Sequence, residues 1–397
     1  MKSSPLWTRD FLIVAGVNFF LALVFYMLIV VVGAYAIEAY GSSLSEAGLV
    51  AGIFVIGTLS GRLVIGQLID VIGRKKTLIF GTAAFALTTC LYFLSDSVST
   101  LILVRFLHGV ALGVGSTAAG TAVAHIIPPD RKAEGIGHFS LSTTLSSAIG
   151  PFLGLWLLQH ASFEWIFATC VAVGGLGLLA ATFLRVPELD AAHREIRGFE
   201  FSFGRLLERR AIPIAVVTFF AGLCYASVLA FINVYAVELD LVTAASYFFI
   251  VYSAVVLCSR PLTGRLLDRK GSNVVVLPCC VLLAVGMVLL ANVHTAGMLL
   301  AAAALIGLGF GNLQSAFYAV AVKLVTPQRM GLATSTFFIF LDASLGFGPY
   351  LLGFAISHIG YRNLYWGMAA LAILCMGAFY LLHGRHVVRL LASGPAH

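Results

Sequence analysis

Asp342 is the residue with the strongest chemical reason to act. Of the seventeen carboxylates it alone falls near the centre of a long apolar run, within Phe340-Leu341-Asp342-Ala343-Ser344-Leu345-Gly346-Phe347-Gly348-Pro349. An ionised carboxylate in such surroundings is costly, so it must be protonated part of the time or paired with a cation. A proton-coupled cycle alternates between those two states. Arg105 is a second charge inside an apolar run, expensive there and therefore a functional candidate. His108, three residues on, has an ordinary pKa of about 6.5 and reads either as a second proton site or as a hydrogen-bonding packer. Asn18, Tyr26, Tyr225, Asn233, Asn312, Gln314 and Tyr318 place amides and phenols in other apolar runs. Asn18 suits either a substrate contact or a hydrogen bond between helices, and the others read as contacts of a substrate cavity.

The elements that must position these groups are spanning helices, each needing roughly 20 apolar residues. Runs of that kind recur at 11–37, 45–67, 77–95, 99–127, 134–159 and 163–184, then again at 211–237, 243–266, 273–292, 296–325, 330–357 and 362–383. The expected fold is all-α, with twelve transmembrane helices in two six-helix bundles. Composition agrees: of 397 residues 60% are hydrophobic and 10% charged, too few charges to cover a soluble globule. Residues 1–185 form the first bundle, 186–210 a cytoplasmic linker and 211–397 the second bundle with a short tail.

The two bundles are copies. An offset of 198 residues maps Arg62 onto Arg260, Gly66 onto Gly264, Asp70 onto Asp268, Arg131 onto Arg329 and Gly150-Pro151 onto Gly348-Pro349. It also maps Thr144 onto Asp342 and Arg105 onto Ala303, so both buried charges are departures from the repeat. The charged stretch from Gly66 to Lys76 reads as a turn between two spans, its glycines permitting close approach and tight reversal.

Net charge is +7, which by itself suggests an acidic partner, but placement points to topology. Lys2, Arg9, Arg74, Lys75, Lys76, Arg131, Lys132, the Arg185 to Arg210 cluster, Arg269, Lys270, Arg329, Arg385 and Arg389 share one side if the helices alternate, and the opposite loops hold only Arg362. Both termini are therefore expected in the cytoplasm. The first apolar run is too long for a cleaved signal. The seven cysteines lie within apolar segments, as packing residues rather than a disulfide or zinc framework. No nucleotide loop, metal cluster or nucleophile-and-base pattern stands at workable spacing, which argues against an enzyme or an ATP-driven pump.

Gly66, Leu68, Asp70, Gly73, Arg74 and Lys75 resemble the loop 2-3 signature of the major facilitator superfamily, G-x-L-x-D-x-x-G-R-[RK], and Gly264 and Asp268 repeat part of it. Arg105 and Gly109 resemble the helix 4 motif R-x-x-x-G, with His108 where glutamine is usual. Gly137, Gly150, Pro151 and Gly154 resemble the helix 5 motif of antiporters, with Ser146 and Leu155 replacing two glycines.

The resemblance implies a bacterial inner-membrane efflux carrier of the drug, sugar or metallophore-exporter kind. Its substrate site would lie near the midplane between the bundles, with access alternating by rocking. In this reading Asp342, Arg105 and His108 couple protons. Gly66, Asp70, Gly73, Arg74 and Arg62, with Gly264, Asp268 and Arg260, form the cytoplasmic gate. Gly137, Gly150, Pro151, Gly154, Gly348 and Pro349 shape bent, closely packed helices. The expected partners are a small-molecule substrate, protons and the lipid bilayer, with no nucleic acid, cofactor or metal, in a monomer. Proton-coupled nutrient uptake is the alternative; a non-transporting receptor fits less well because the chain has no long tail or enlarged central loop.

Overall fold

The computed structural model describes residues 5–42, 44–186 and 206–384. Within them twelve helices are long and apolar enough to cross a membrane. In lipid, backbone N–H and C=O groups must be satisfied inside the segment, so long apolar runs become helices. They are α1 (Arg9–Tyr40), α2 (Leu44–Ile72), α3 (Arg74–Cys90), α4 (Val98–Ile126), α5 (Lys132–His160), α6 (Phe163–Thr182), α7 (Ile212–Glu238), α8 (Val242–Lys270) and α9 (Ser272–Ala291). There follow α10 (Ala296–Lys323), α11 (Pro327–Ile356) and α12 (His358–Gly384). Gly360, at φ 74°, breaks the helical run that carries the last two. Large apolar side chains point outward, Phe80 at 68% and Phe354 at 73% exposure among them, as a hydrocarbon solvent requires.

The stretch expected as a turn between α2 and α3 is almost entirely helical. Helix α2 continues through Ile72 and α3 starts at Arg74, so the reversal is confined to Gly73 at φ 102°. The second copy does the same: α8 runs through Lys270, α9 starts at Ser272, and Gly271 sits at φ 85°. The reason is conformational, since a residue without Cβ reaches positive φ at little cost and one such residue suffices. The middle of α10, Gly307–Gly311, is a π-helical turn.

The chain clusters into two compact units. The first contains Met1–Pro128, Phe139–Glu208 and Val325–Ile339; the second contains Pro129–His138, Arg209–Leu324 and Phe340–His397. Each is thus one sequence repeat in which the opening turns of one helix are exchanged for those of the matching helix of the other repeat. In the first, α2 packs along α4, α3 on α4 and α6, and α1 on α6. Close approach of α2 and α4 depends on glycine: a Cβ at Gly109 or Gly113 would run into the carbonyl oxygens of Phe54 or Thr58. In the second unit, α10 packs on α8 and α9. The linker expected at 186–210 lies largely outside the described residues, as do Lys2, Arg385 and Arg389.

Candidate functional site

Arg105 and His108 lie one helical turn apart on α4, both wholly buried. Arg105 donates from Nε to Val50 O (3.1 Å), from Nη1 to the Tyr92 hydroxyl (3.3 Å) and from Nη2 to Ala51 O (3.5 Å). Its guanidinium also sits 4.4 Å from the centre of the Phe54 ring. Carbonyl dipoles, a phenol and an aromatic face therefore dress the cation. Both His108 nitrogens are engaged, Nε2 with Thr89 Oγ1 and Nδ1 with the Tyr92 hydroxyl, each at 3.1 Å. Thr89 already donates to Phe85 O (2.7 Å), so it accepts from Nε2–H. Tyr92, whose oxygen accepts from Arg105, donates to Nδ1. A chain of donors running Arg105, Tyr92, His108, Thr89, Phe85 fits these contacts with a neutral imidazole. Tyr92 and Thr89, which link the other two, carry no periodic signal in the sequence.

Asp342 is half-buried on α11. Leu341, Ser344 and Gly348 of this helix meet α7 at Gly222, Leu223 and Ala226. Asp342 lies off that side and continues another, four residues after Phe338 and seven after Ser335. Those two side chains mark what that side of the helix meets in its opening turns: Ser335 Oγ donates to Arg62 O (2.6 Å) and the Phe338 ring lies 4.6 Å from the Arg62 guanidinium. Asp342 therefore stands off the side of α11 that packs on α7.

The repeated motif holds helix ends together. In the second unit Asp268, near the end of α8, accepts from the backbone N–H of Ala133 (3.0 Å) and Glu134 (2.8 Å) at the start of α5. It also takes Lys323 Nζ at 2.6 Å. A carboxylate on a helix N-terminus meets both free N–H groups and the positive end of the dipole. Glu134 adds ion pairs to Arg131 (2.8 Å) and Arg265 (2.7 Å). Gly264 admits the α5 backbone, since a Cβ there would lie 2.7 Å from Glu134 Cα. In the first unit Gly66 likewise receives Ser335, and Arg329 pairs with Glu208 at 2.6 Å. Arg74 is buried at the start of α3. Asp70 and Asn233 lie in helices, but their side chains are outside the described set. Neither Glu134 nor Glu208 stood out in the sequence, although Glu134 follows Arg131 at helical spacing.

Several polar residues expected at a cavity instead tie helices. Asn18 Nδ2 donates to Ser142 (2.8 Å) and Thr143 (2.9 Å), joining α1 to α5. Asn312 donates to Ser259 and Leu308 O (both 2.9 Å) and accepts from Thr263 (2.8 Å), joining α10 to α8. Tyr318 is buried, while Tyr26, Tyr225 and Gln314 are half-exposed. Gly150 and Gly154 receive α1 at Tyr26 and Met27, and Gly348 receives α7. Gly137 has only ordinary contact, 3.5 Å to Arg260 O. Helices α5 and α11 continue through Pro151 and Pro349. Among the described residues no three His, Cys, Asp or Glu come together to hold a metal ion.

A family model described as Major Facilitator Superfamily matches residues 14–344 and 275–396. An uncharacterized MFS-type transporter of Methanocaldococcus jannaschii is 24% identical over 369 residues, 91% of this chain and 92% of its own length. Multidrug resistance protein 3 of Bacillus subtilis is 28% identical over 136 residues, 34% of this chain and 27% of its own. Among solved structures, that of the human organic anion transporter MFSD10 (TETRAN) is similar with a TM-score of 0.77 at 15% identity, covering 95% of this chain and 100% of that one.

Proposed function

This chain belongs to the Major Facilitator Superfamily, and we propose that within it the protein is a proton-coupled secondary transporter that exports a small organic molecule. The observation that carries the coupling is Asp342, a half-buried carboxyl inside a membrane-crossing helix. In such a place the ionised form is penalised whenever water is withdrawn and favoured when water or a cation arrives. A helix that changes its surroundings during a cycle thereby takes up and releases a proton. Arg105, held by the Val50 and Ala51 carbonyls, supplies a fixed positive field on the first repeat, while neutral His108 orients it through Tyr92. The half-exposed Tyr26, Tyr225 and Gln314 are the polar groups best able to meet a substrate.

Gating is assigned to the basic ends of the helices. The Asp268 carboxylate on α5, and the Gly66 and Arg62 contacts with Ser335, hold these ends together and must part for a substrate to leave or enter there. Those ends carry Arg74, Lys132, Arg269 and Arg329, which supports a cytoplasmic location for them and for both termini in a bacterial inner membrane. Export is favoured by the close packing of α5 on α1 through Gly150 and Gly154, and by the partial likeness to a multidrug resistance protein.

The test begins by comparing metabolites in the medium of cells with and without the gene. The compound found is then offered to purified protein in proteoliposomes under an imposed pH gradient. Movement opposite to the protons is expected, and Asp342→Asn should reduce gradient-driven accumulation to background while leaving substrate exchange intact. Transport that ignores the gradient, with Asp342→Asn fully active, overturns the coupling; movement along with the protons makes the protein an uptake carrier.

A further inference from the structure

Helices α1 and α6 lie side by side in the first unit, but they do not stay equally close along their length. They touch at Phe20 and Gly177, where an added Cβ would stand 3.4 Å from the Phe20 Cβ. One turn nearer the start of α1, a Cβ on Gly16 would meet nothing within 4 Å. The helices part there, and a groove of about 700 Å³ opens between them. Leu12, Ile13 and Gly16 of α1 form one wall, Ala180 and Phe183 at the end of α6 form the other, and Arg9 completes the lining.

The groove is apolar along its length and cationic at one end. Leu12 and Phe183 are exposed, and Leu176 and Leu179 continue the exposed apolar surface along α6. On a spanning helix a continuous surface of that kind faces hydrocarbon rather than water. From Arg9 to Phe20 a helix rises about 16 Å, close to the roughly 15 Å depth of hydrocarbon in one leaflet. With Arg9 at the level of the headgroups, the closed end of the groove therefore falls near the midplane.

Arg9 and Arg185 are both exposed. The backbone N–H of Arg185 donates to Asp10 Oδ1 at 2.8 Å, which fastens the chain leaving α6 to the first turn of α1 and brings both arginines to one end of the groove. Two cations against the single Asp10 carboxylate leave that end with a net positive charge. Guanidinium groups take phosphate oxygens through charge-assisted hydrogen bonds, and a basic pocket between spanning helices suits an anionic headgroup. We propose that the groove binds an anionic phospholipid, with one acyl chain lying between α1 and α6 and the phosphate held by Arg9 and Arg185. The chain fills the gap beside Gly16, so the lipid packs between two helices that diverge.

For the test, the full chain is purified in dodecyl maltoside until free of lipid. It is titrated with phosphatidylglycerol, with phosphatidylcholine of the same acyl chains, or with glycerol phosphate, which carries the charge and no chain. Native mass spectrometry reads the first molecule retained. Phosphatidylglycerol should bind at least about fivefold more tightly than phosphatidylcholine, the worth of one arginine at a membrane surface, and glycerol phosphate should not be retained. Arg9→Gln should bring the two lipids level. Asp10→Asn keeps an acceptor for the Arg185 N–H but removes the opposing charge, so it should widen the preference several-fold, a gain that misfolding cannot produce. Gly16→Phe fills the groove and should weaken both lipids. Arg269→Gln, at an exposed arginine on the end of α8, should change nothing. Equal binding of the two lipids by the unaltered chain, a preference that survives Arg9→Gln, undiminished binding by Gly16→Phe, or a matching fall in Arg269→Gln overturns the proposal. So does retention of glycerol phosphate, which makes this a site for free phosphate. Retention of no lipid overturns it too and leaves the groove to another occupant, such as the chain's own 187–205 segment.

Discussion

His108 illustrates how a titratable residue is silenced by its neighbours. Its ring is wholly buried, and both nitrogens are engaged in a directional set of hydrogen bonds that fits the neutral form. His108→Gln, which retains a donor and an acceptor, should therefore leave the pH profile of transport unmoved. His108→Leu should lower stability by about 1–3 kcal/mol, because it strands the Tyr92 hydroxyl in a dry interior. Thermal unfolding in detergent reads the second effect and a proteoliposome pH series the first; a shifted profile in His108→Gln would return the histidine to the proton path. Chemistry of this kind was only half legible in the sequence. The cost of burying Arg105 and Asp342 follows from residue type and an apolar run. The partners do not: Tyr92 reaches Arg105 across the α3–α4 hairpin, and Asn18 finds Ser142 more than a hundred residues away. For the same reason Asn312, expected as a cavity contact, bonds to helix α8, and Asn18, read as a substrate contact or an interhelical bond, bonds to α5.

At the scale of elements, the helices are held by what small residues allow. Gly57 and Gly61 of α2, with Gly109 and Gly113 of α4, bring two backbones so close that an added Cβ would strike a carbonyl. Gly113→Ala should thus cost about 1–3 kcal/mol, the usual penalty of overpacking, and lower the unfolding temperature by several degrees. Gly16→Ala, where nothing lies within 4 Å of the new methyl, should leave it unchanged or slightly raised. Equal unfolding temperatures for the two variants would show that α2 and α4 can separate freely. Helix positions were readable from hydropathy because a bilayer demands length and apolarity together. The one-residue reversals at Gly73 and Gly271 and the π turn of α10 were not. Charged residues such as Asp268 and Lys270 look like loop, and only the backbone path reveals that they end a helix.

For the whole molecule, the repeat predicts more than symmetry. Each compact unit takes the opening turns of one helix from the other sequence half, Pro129–His138 in one and Val325–Ile339 in the other. The Asp268 carboxylate secures the first of these by two backbone N–H groups. Asp268→Asn should loosen it. In a chain carrying Ala133→Cys, labelling by a membrane-impermeant maleimide should rise by about tenfold or more, the equivalent of one charge-assisted hydrogen bond. Unchanged labelling would mean that Asp268 does not hold the start of α5. By itself the sequence determined the membrane setting, the count of spans, the duplicated unit and the family, because these depend on composition and spacing along one dimension. Tertiary structure alone decided which buried charges are satisfied and which are not. Arg105, Arg62 and Arg260 are the same residue in comparable apolar runs, yet one is fully bonded, one meets a threonine and one is left with an empty donor. A hydrogen bond depends on the direction a neighbouring hydroxyl takes in space, and nothing in the order of residues specifies that Ser315 turns away where Thr117 turns in.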